Sequence, residues 1–332
     1  MNGIFGSLFG FIYSIFGYIL GFFYELFKNT PAPYVIALIV FTIITRVLLL
    51  PTSIPQQKNQ AKQFRIQPKL QKLQQKFGND RQKLSEEQQK LYQKEGYNPM
   101  AAGCGPMLIS LPLLWGVYGA ITRPVSYVLR FKDEAAAFLA DKNVTDFFSS
   151  ISTSKRSSYY QELLLLNQLG DSSSKISAKI SSYFSTAQIE QMKEFAQGFT
   201  LFGIDLTQTP SIKSFSILWI IPILSGITSF LTSFYSTRMQ KKYNPAMSQG
   251  SNMLSQGCMM AFMPIFSIYL CFTVPAGVGF YWVISNIFAF FQTVLLSNIY
   301  APPKVAAKNM ISDVINRYAY EKSIKDRKKT VE

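Results

Sequence analysis

Apolar residues along this chain gather into long uncharged runs separated by short charged segments, and the length and spacing of those runs predict helices. From Pro33 to Gln57 the only charged residue is Arg46, in a run long enough to cross a hydrocarbon core of about 30 Å. At about 1.5 Å per residue, Arg46 lies roughly 18 Å along the helix from Tyr34, in the inner half of such a core. A guanidinium at that depth is costly. Either it faces a bundle interior or a water-filled cavity, or it snorkels along its own stem to the headgroups. Thr42 and Thr45 share its helix face, so the three form a polar stripe rather than an isolated charge.

The other runs divide in the same way. Residues 3 to 24 carry no charge, and their small residues recur at Gly3, Ser7, Gly10, Ser14, Gly17 and Gly21. That spacing draws one weakly polar stripe along a helix, which either lies in the outer interface or spans and packs by its small face. A second span is expected from Tyr97 to Thr122, kinked at Pro106 and Pro112, with Gly103, Gly105, Gly116 and Gly119 for close contact and Ser110, Trp115 and Tyr118 as polar or amphipathic groups. A third, Ser214 to Thr237, repeats hydroxyls at Ser225, Thr228, Ser229, Thr232 and Ser236, which gives it one polar face. No charge occurs from Tyr243 to Pro303, and a turn at PAG, 275 to 277, divides that run into spans of roughly 257 to 274 and 278 to 299. Tyr281, Ser285, Asn286 and Gln292 add polar groups to the last span.

Charge orients these spans. Residues 56 to 96 hold ten Lys or Arg against four acids, and Leu70, Leu73 and Phe77, then Leu84 and Leu91, read as two helices joined at Gly78 and Asn79. The positive-inside rule places this basic hairpin, the loop 238 to 256 and the tail 301 to 332 in the cytoplasm, and leaves the N-terminus outside. Residues 131 to 213 are Ser-rich, with eight Lys or Arg and nine acids, and are expected outside as a small helical insert resting on the membrane surface. The fold class is therefore an all-α polytopic membrane protein with five spans.

Composition narrows the chemistry further. Of the 332 residues, 48% are hydrophobic, the net charge is +15 and there is no histidine, which excludes His-dependent triads and His-containing zinc sites. Cys104, Cys258 and Cys271 all lie in apolar runs and read as packing residues. The absence of GxxxxGK[ST] leaves no visible means of hydrolysing nucleotide. The first lysine is Lys28, so the start lacks the positive region of a secretory signal. No enzyme activity, cofactor or metal is expected.

The order of motifs carries a resemblance. ITRVLLLP, the Lys- and Gln-rich hairpin, NPMAAGCGPMLISLPLLWGVY, IIPILSGIT and MAFMPIFSIYLCFTVPAGVGFYWVISNIFAFFQ together resemble the YidC family of membrane protein insertases over about residues 29 to 300. The resemblance implies five core helices around a hydrophilic groove, open to the cytoplasm and to lipid and closed towards the outside. It makes Arg46 the groove arginine and Thr42 the threonine one turn before it, aligns Tyr281 and Trp282 with an aromatic pair of the last span, and sets Pro112 and its neighbours on a substrate-facing span. The candidate groove residues are thus Arg46, Thr42, Thr45, Ser110, Pro112, Trp115, Tyr118, Ser225, Thr228, Ser229, Thr232, Tyr281, Trp282 and Ser285. The expected layout is an outer amphipathic helix at 1–28, spans at 29–55, 97–130 and 214–237, and a pair of spans at 257–300. The hairpin at 56–96, the insert at 131–213, the loop at 238–256 and the tail at 301–332 fill the rest.

The family's longer bacterial members have an extra N-terminal span and a large exported domain that this sequence lacks. Expected partners are nascent membrane proteins, membrane lipids, the ribosome and a protein translocation channel, in the bacterial cell membrane. A lipid scramblase and a small-solute transporter are the alternatives that a polar face within the bilayer leaves open.

Overall fold

The computed structural model of the chain describes residues 4–98, 105–151, 160–169, 177–243 and 251–305, with interrupted helical stretches between 307 and 319. These residues are almost entirely helical, as the uncharged runs require, because a helix satisfies every backbone group within its own segment. The order is α1 Ile4–Leu26, α2 Pro33–Leu48, α3 Leu50–Phe77, α4 Arg81–Lys94, α5 Gly105–Thr122, α6 Pro124–Tyr127, α7 Lys132–Ala140, α8 Lys142–Ile151, α9 Gln161–Gln168, α10 Ser177–Tyr183 and α11 Thr186–Gln197. There follow a two-stranded hairpin, β1 Thr200–Leu201 and β2 Ile204–Asp205, then α12 Ile220–Tyr243, α13 Ser251–Cys271 and α14 Ala276–Ile299. Among the described residues three helical segments are long and apolar enough to cross a membrane, Phe9–Leu26, Ile217–Tyr243 and Ala276–Ile299. Pro33–Leu48 and Leu50–Gln63, bent by 52° at their junction, meet the same criterion as a pair, in the manner of a broken span or a re-entrant loop, and Ala261–Cys271 is a shorter apolar helix. The chain is thus an all-α membrane protein with several apolar helices.

Two compact units divide it. The first holds Met1–Leu48, Leu108–Ser233 and Met259–Phe290. Here the small stripe of α1 is a contact surface: a Cβ at Gly17 would stand 2.5 Å from the backbone oxygen of Tyr127, and one at Gly21 would stand 3.1 Å from that of Val128. Tyr13 and Phe16 of α1 occupy the space that Gly119 and Gly116 leave on α5. Small residues permit such approach where no hydrophobic effect drives helices together.

The segment between α5 and α12, expected as a small helical insert, contains the six helices α6 to α11 and the β-hairpin among its described residues. It has an aromatic core of its own, in which Phe138 packs against Phe148, Tyr183 and Phe184 with ring centroids 6.3, 5.7 and 5.8 Å apart. Ser185 starts α11 with a capping box, its hydroxyl accepting from Gln188 N while Gln188 Oε1 accepts from Ser185 N. α11 then presents Phe195 to Tyr24 of α1 and Tyr34 of α2, at 4.8 and 5.3 Å, and Tyr34 stacks on Phe199 at 3.8 Å. This aromatic junction fixes the segment to the first two helices.

The hairpin pairs Thr200 with Asp205 and Leu201 with Ile204, and its two-residue turn has φ of +51° at Phe202 and +79° at Gly203. Positive φ at both centres is the type I′ turn that suits twisted strands and prefers Asn-Gly. A phenylalanine there costs about 1–2 kcal/mol. Beyond the turn, Leu206 O accepts from Gly277 N at 2.8 Å and Gln208 O accepts from Ala276 N at 2.7 Å, which ties the hairpin to the PAG turn before α14.

The second unit holds Leu49–Met107, Phe234–Cys258 and Phe291–Glu332. α3 and α4 form the expected helical hairpin, with Asp80 capping α4 through Lys83 N at 3.1 Å. Lys62 Nζ donates to Gly96 O at 2.9 Å and Asn59 Nδ2 to Asn98 O at 2.8 Å, closing the far end of α4 back onto α3. Its first helix begins at Leu50, six residues before the basic composition does, because Pro51 is well tolerated in a first helical turn.

Candidate functional site

Arg46 stands in the last turn of α2, where the partial negative charge of the helix end favours a cation by about 0.3–1 kcal/mol. The faces of α2 are distinct. Tyr34, Leu38, Phe41 and Thr42 are buried, whereas Ile43, Ile44, Val47 and Leu48 are exposed apolar residues. Leu38, Thr42 and Arg46 follow one another at intervals of four, so the guanidinium leaves the helix on its buried side and not among the exposed apolar side chains. Arg46 is half-buried, and its Nε is fully buried with no hydrogen-bond partner among the described residues. No ion pair among the described residues holds it there either. A buried N–H left unpaired costs about 1–3 kcal/mol, so such a donor calls for water or a ligand group.

The threonines beside it are committed elsewhere. Thr42 Oγ1 donates to Leu38 O at 2.6 Å, and Thr45 Oγ1 is shared between Phe41 O and Thr42 O, both at 2.9 Å. These back-bonds satisfy the hydroxyls within α2. Thr228 and Thr232 on α12 do the same, donating to Leu224 O at 2.8 Å and to Thr228 O at 3.0 Å. The polar stripes are real, yet most of their hydroxyls are spent on their own helices.

Ser225 is different. It is fully buried, its Oγ lies 2.5 Å from Ser267 Oγ of α13, and Trp282 Nε1 of α14 donates to that same Ser267 oxygen at 3.0 Å. One hydroxyl of α13 thus joins three helices, and it brings Ser225 and Trp282 together. Sequence reasoning missed Ser267 because it is a single hydroxyl amid Phe, Ile and Tyr and sets up no period. Tyr281, next to Trp282 in sequence, is buried, and Ser285 Oγ and Asn286 Nδ2 on α14 are buried without partners among the described residues. Ser229 is half-buried, Pro112 is exposed, and Tyr118 is half-buried on α5. Trp115 is exposed on α5 with its ring edge-on to Phe9 at 4.8 Å. The side chain of Ser110 lies outside the described residues, as do those of Cys104 and Cys258; Cys271 is a buried free thiol. No hydrogen bond joins Arg46 to any other candidate among the described residues.

In the hairpin, Lys69, Lys72 and Lys76 of α3 face Lys90 and Lys94 of α4 across a floor of Leu73 and Leu91. Glu95 pairs with Lys69, and Glu87 with Lys90 at 2.7 Å, leaving a net positive groove.

Two carboxyls of the segment between α5 and α12 have opposite electrostatics. Lys179 Nζ at 2.5 Å, with Asn143 N and Tyr183 Oη, holds the Asp141 carboxyl down at about 2. Burial pushes the Glu162 carboxyl up, opposed by bonds from Ser126 N at 2.9 Å and Ser126 Oγ at 2.5 Å. Asp141 therefore stabilises the fold above its ordinary value of 3.8, and that contribution is lost as pH falls towards about 2. Glu162 acts with the opposite sign: its contribution is complete below the ordinary value of 4.5 and is lost as pH rises through the raised one. Thermal unfolding in detergent checks both. Asp141→Asn should remove the loss of stability on the acid side of pH 4, and Glu162→Gln should flatten the decline that sets in as pH rises above 4.5.

Comparison with known proteins shows the family of the chain. The family 60Kd inner membrane protein matches residues 25–303. The Membrane protein insertase YidC of Clostridium perfringens (strain 13 / Type A) is 26% identical over 312 residues, covering 94% of each chain. Membrane protein insertase YidC 1 of Listeria monocytogenes serotype 4b (strain F2365) is 25% identical over 308 residues, covering 89% of this chain and 78% of that protein. The Membrane protein insertase YidC of Caldanaerobacter subterraneus subsp. tengcongensis is 29% identical over 269 residues, covering 81% and 87% respectively. A match over most of the chain, carried by relatives of one name, shows that it belongs to the 60Kd inner membrane protein family, the family of the YidC membrane protein insertases.

Proposed function

We propose that this chain is an insertase and chaperone that takes nascent membrane proteins into a hydrated groove beside Arg46 and releases them sideways into the bilayer without hydrolysing nucleotide. The observation that carries this reading is a guanidinium on the buried face of an otherwise uncharged helix, with its Nε shielded and unpaired. A client's polar outer tail, often acidic, enters beside that charge and so crosses less hydrocarbon. Its apolar segment then moves along α5 and α14 into lipid, driven by burial at about 25 cal/mol per Å². The membrane potential adds about 2.3 kcal/mol per 100 mV for each negative charge exported.

The reading includes five spans with the N-terminus outside and the C-terminus in the cytoplasm, residues 1–28 as an outer amphipathic helix and 131–213 as an outer insert. On the cytoplasmic side, the lysine groove of the hairpin and the basic tail suit ribosomal RNA or the anionic inner leaflet, both recognised through charge. Action beside a translocation channel belongs to the same proposal.

Purified protein in vesicles free of nucleotide tests it. A small single-span client with an acidic outer tail should become protease-protected at least several-fold more than in empty vesicles. Lipid or solute flux with no gain in client protection would overturn the reading in favour of a scramblase or a transporter.

A further inference from the structure

The β-hairpin tip and the loop that follows it expose apolar side chains at the mouth of a membrane span. Phe202 is 89% exposed, Phe215 85% and Ile212 65%. A Cβ at Gly203 would meet nothing within 4 Å, so the tip stands clear of the protein. Phe202 is exposed in a backbone conformation that an asparagine would adopt more readily, and such an outlier points to a use for the side chain.

Position identifies what covers it. β2 packs against the 3-10 turn Ile217–Trp219, where the long apolar segment Ile217–Tyr243 begins. Trp219 Nε1 donates to Ser211 O at 2.9 Å and Ser214 O at 3.1 Å, which folds the 211–214 loop back over that entrance. The Trp219 ring lies 5.3 Å from Phe215 and 5.0 Å from Phe272. Ile212 and Phe215 therefore border the start of that apolar segment, the β-hairpin packs against the same turn, and Lys213 lies between Ile212 and Phe215 in sequence to meet a phosphate. Aromatic rings with a cationic neighbour at a span terminus are the composition of a membrane interface.

We propose that Phe202, Ile212 and Phe215 insert into the outer leaflet at headgroup depth and pin the hairpin to the lipid surface. Through its bonds to Ala276 and Gly277, the hairpin then holds the outer turn before α14 at a fixed depth. The inference rests on the outward placement of the insert. It does not require the insertion mechanism.

The test uses full-length protein with Cys104, Cys258 and Cys271 replaced by serine, in vesicles of phosphatidylethanolamine and phosphatidylglycerol. An environment-sensitive NBD label is placed at Phe202→Cys and, as a control, at Asn143→Cys on α8. A membrane-impermeant thiol reagent acting on Asn143→Cys in cells reports separately whether the insert faces outward. Label at 202 should emit to the blue of label at 143 and be quenched at least threefold more by lipids spin-labelled near the headgroup, with little quenching by aqueous iodide. Water-like emission at 202 with iodide quenching equal to that at 143 would overturn the proposal, and so would dry emission without lipid quenching. In a second arm, Phe202→Asn fits the turn better and keeps the fold. It should lower lipid quenching of a label at Ile212→Cys at least twofold; unchanged quenching would remove Phe202 from the anchor.

Discussion

Arg46→Ala should lower insertion of clients with acidic outer tails about thirtyfold while leaving neutral-tailed clients within about twofold. The magnitude comes from charge attraction. At an effective dielectric of about 20, a guanidinium roughly 8 Å from a carboxylate contributes about 2 kcal/mol, and no other charged residue lies between Pro33 and Gln57 to replace it. Arg46→Lys should retain most of the activity, since a field effect needs a positive charge but not a planar fork. Protease protection of matched clients differing only in the sign of the tail is the measurement. Equal insertion of acidic and neutral tails by the alanine variant would remove the electrostatic part of the mechanism.

Phe195→Ala should have the largest effect on stability. Its ring is fully buried and meets Tyr24, Tyr34 and Phe199 edge-on at 4.8, 5.3 and 5.1 Å. Truncating a buried phenylalanine costs about 3–5 kcal/mol, and here the cavity would open where α11 meets α1 and α2. The unfolding midpoint in detergent should fall on the order of 10 °C, and externally added protease should cut the 131–213 segment faster at unchanged α12 and α14. Phe195→Leu, which keeps most of the volume, should recover more than half of the loss. If the alanine variant melts with the parent protein, the aromatic junction is not what fastens the segment.

The parts of the fold that were legible in the sequence are those where one residue type is expensive or one spacing is strict. Arg46 announced itself because a charge in an apolar run has few tolerable positions, whereas the small stripe holding Gly17 and Gly21 was legible only as a stripe, since its spacing suits an interfacial helix as well as close packing. The start of α3 at Leu50 was hidden. VLLLPTSIP carries only Thr52 and Ser53 among apolar residues and sets no helical period, and a proline suits a first turn as well as a break. The β-hairpin was hidden for a different reason: LFGI offers phenylalanine where turn chemistry calls for asparagine or aspartate. Hydroxyl stripes were read correctly as periodic, but periodicity says nothing of where each O–H is directed. Only coordinates distinguish Thr42, bonded to its own helix, from Ser225, bonded to two neighbours through Ser267.

That distinction bears on which passengers the protein accepts. The threonines of α2 turn inward on their own carbonyls, so in the proposed mechanism the arginine would offer an arriving chain a fixed positive sign and little stereochemical demand. Recognition of that proposed kind would read polarity and ignore sequence, and breadth of clientele would follow from two hydroxyls that decline to take part.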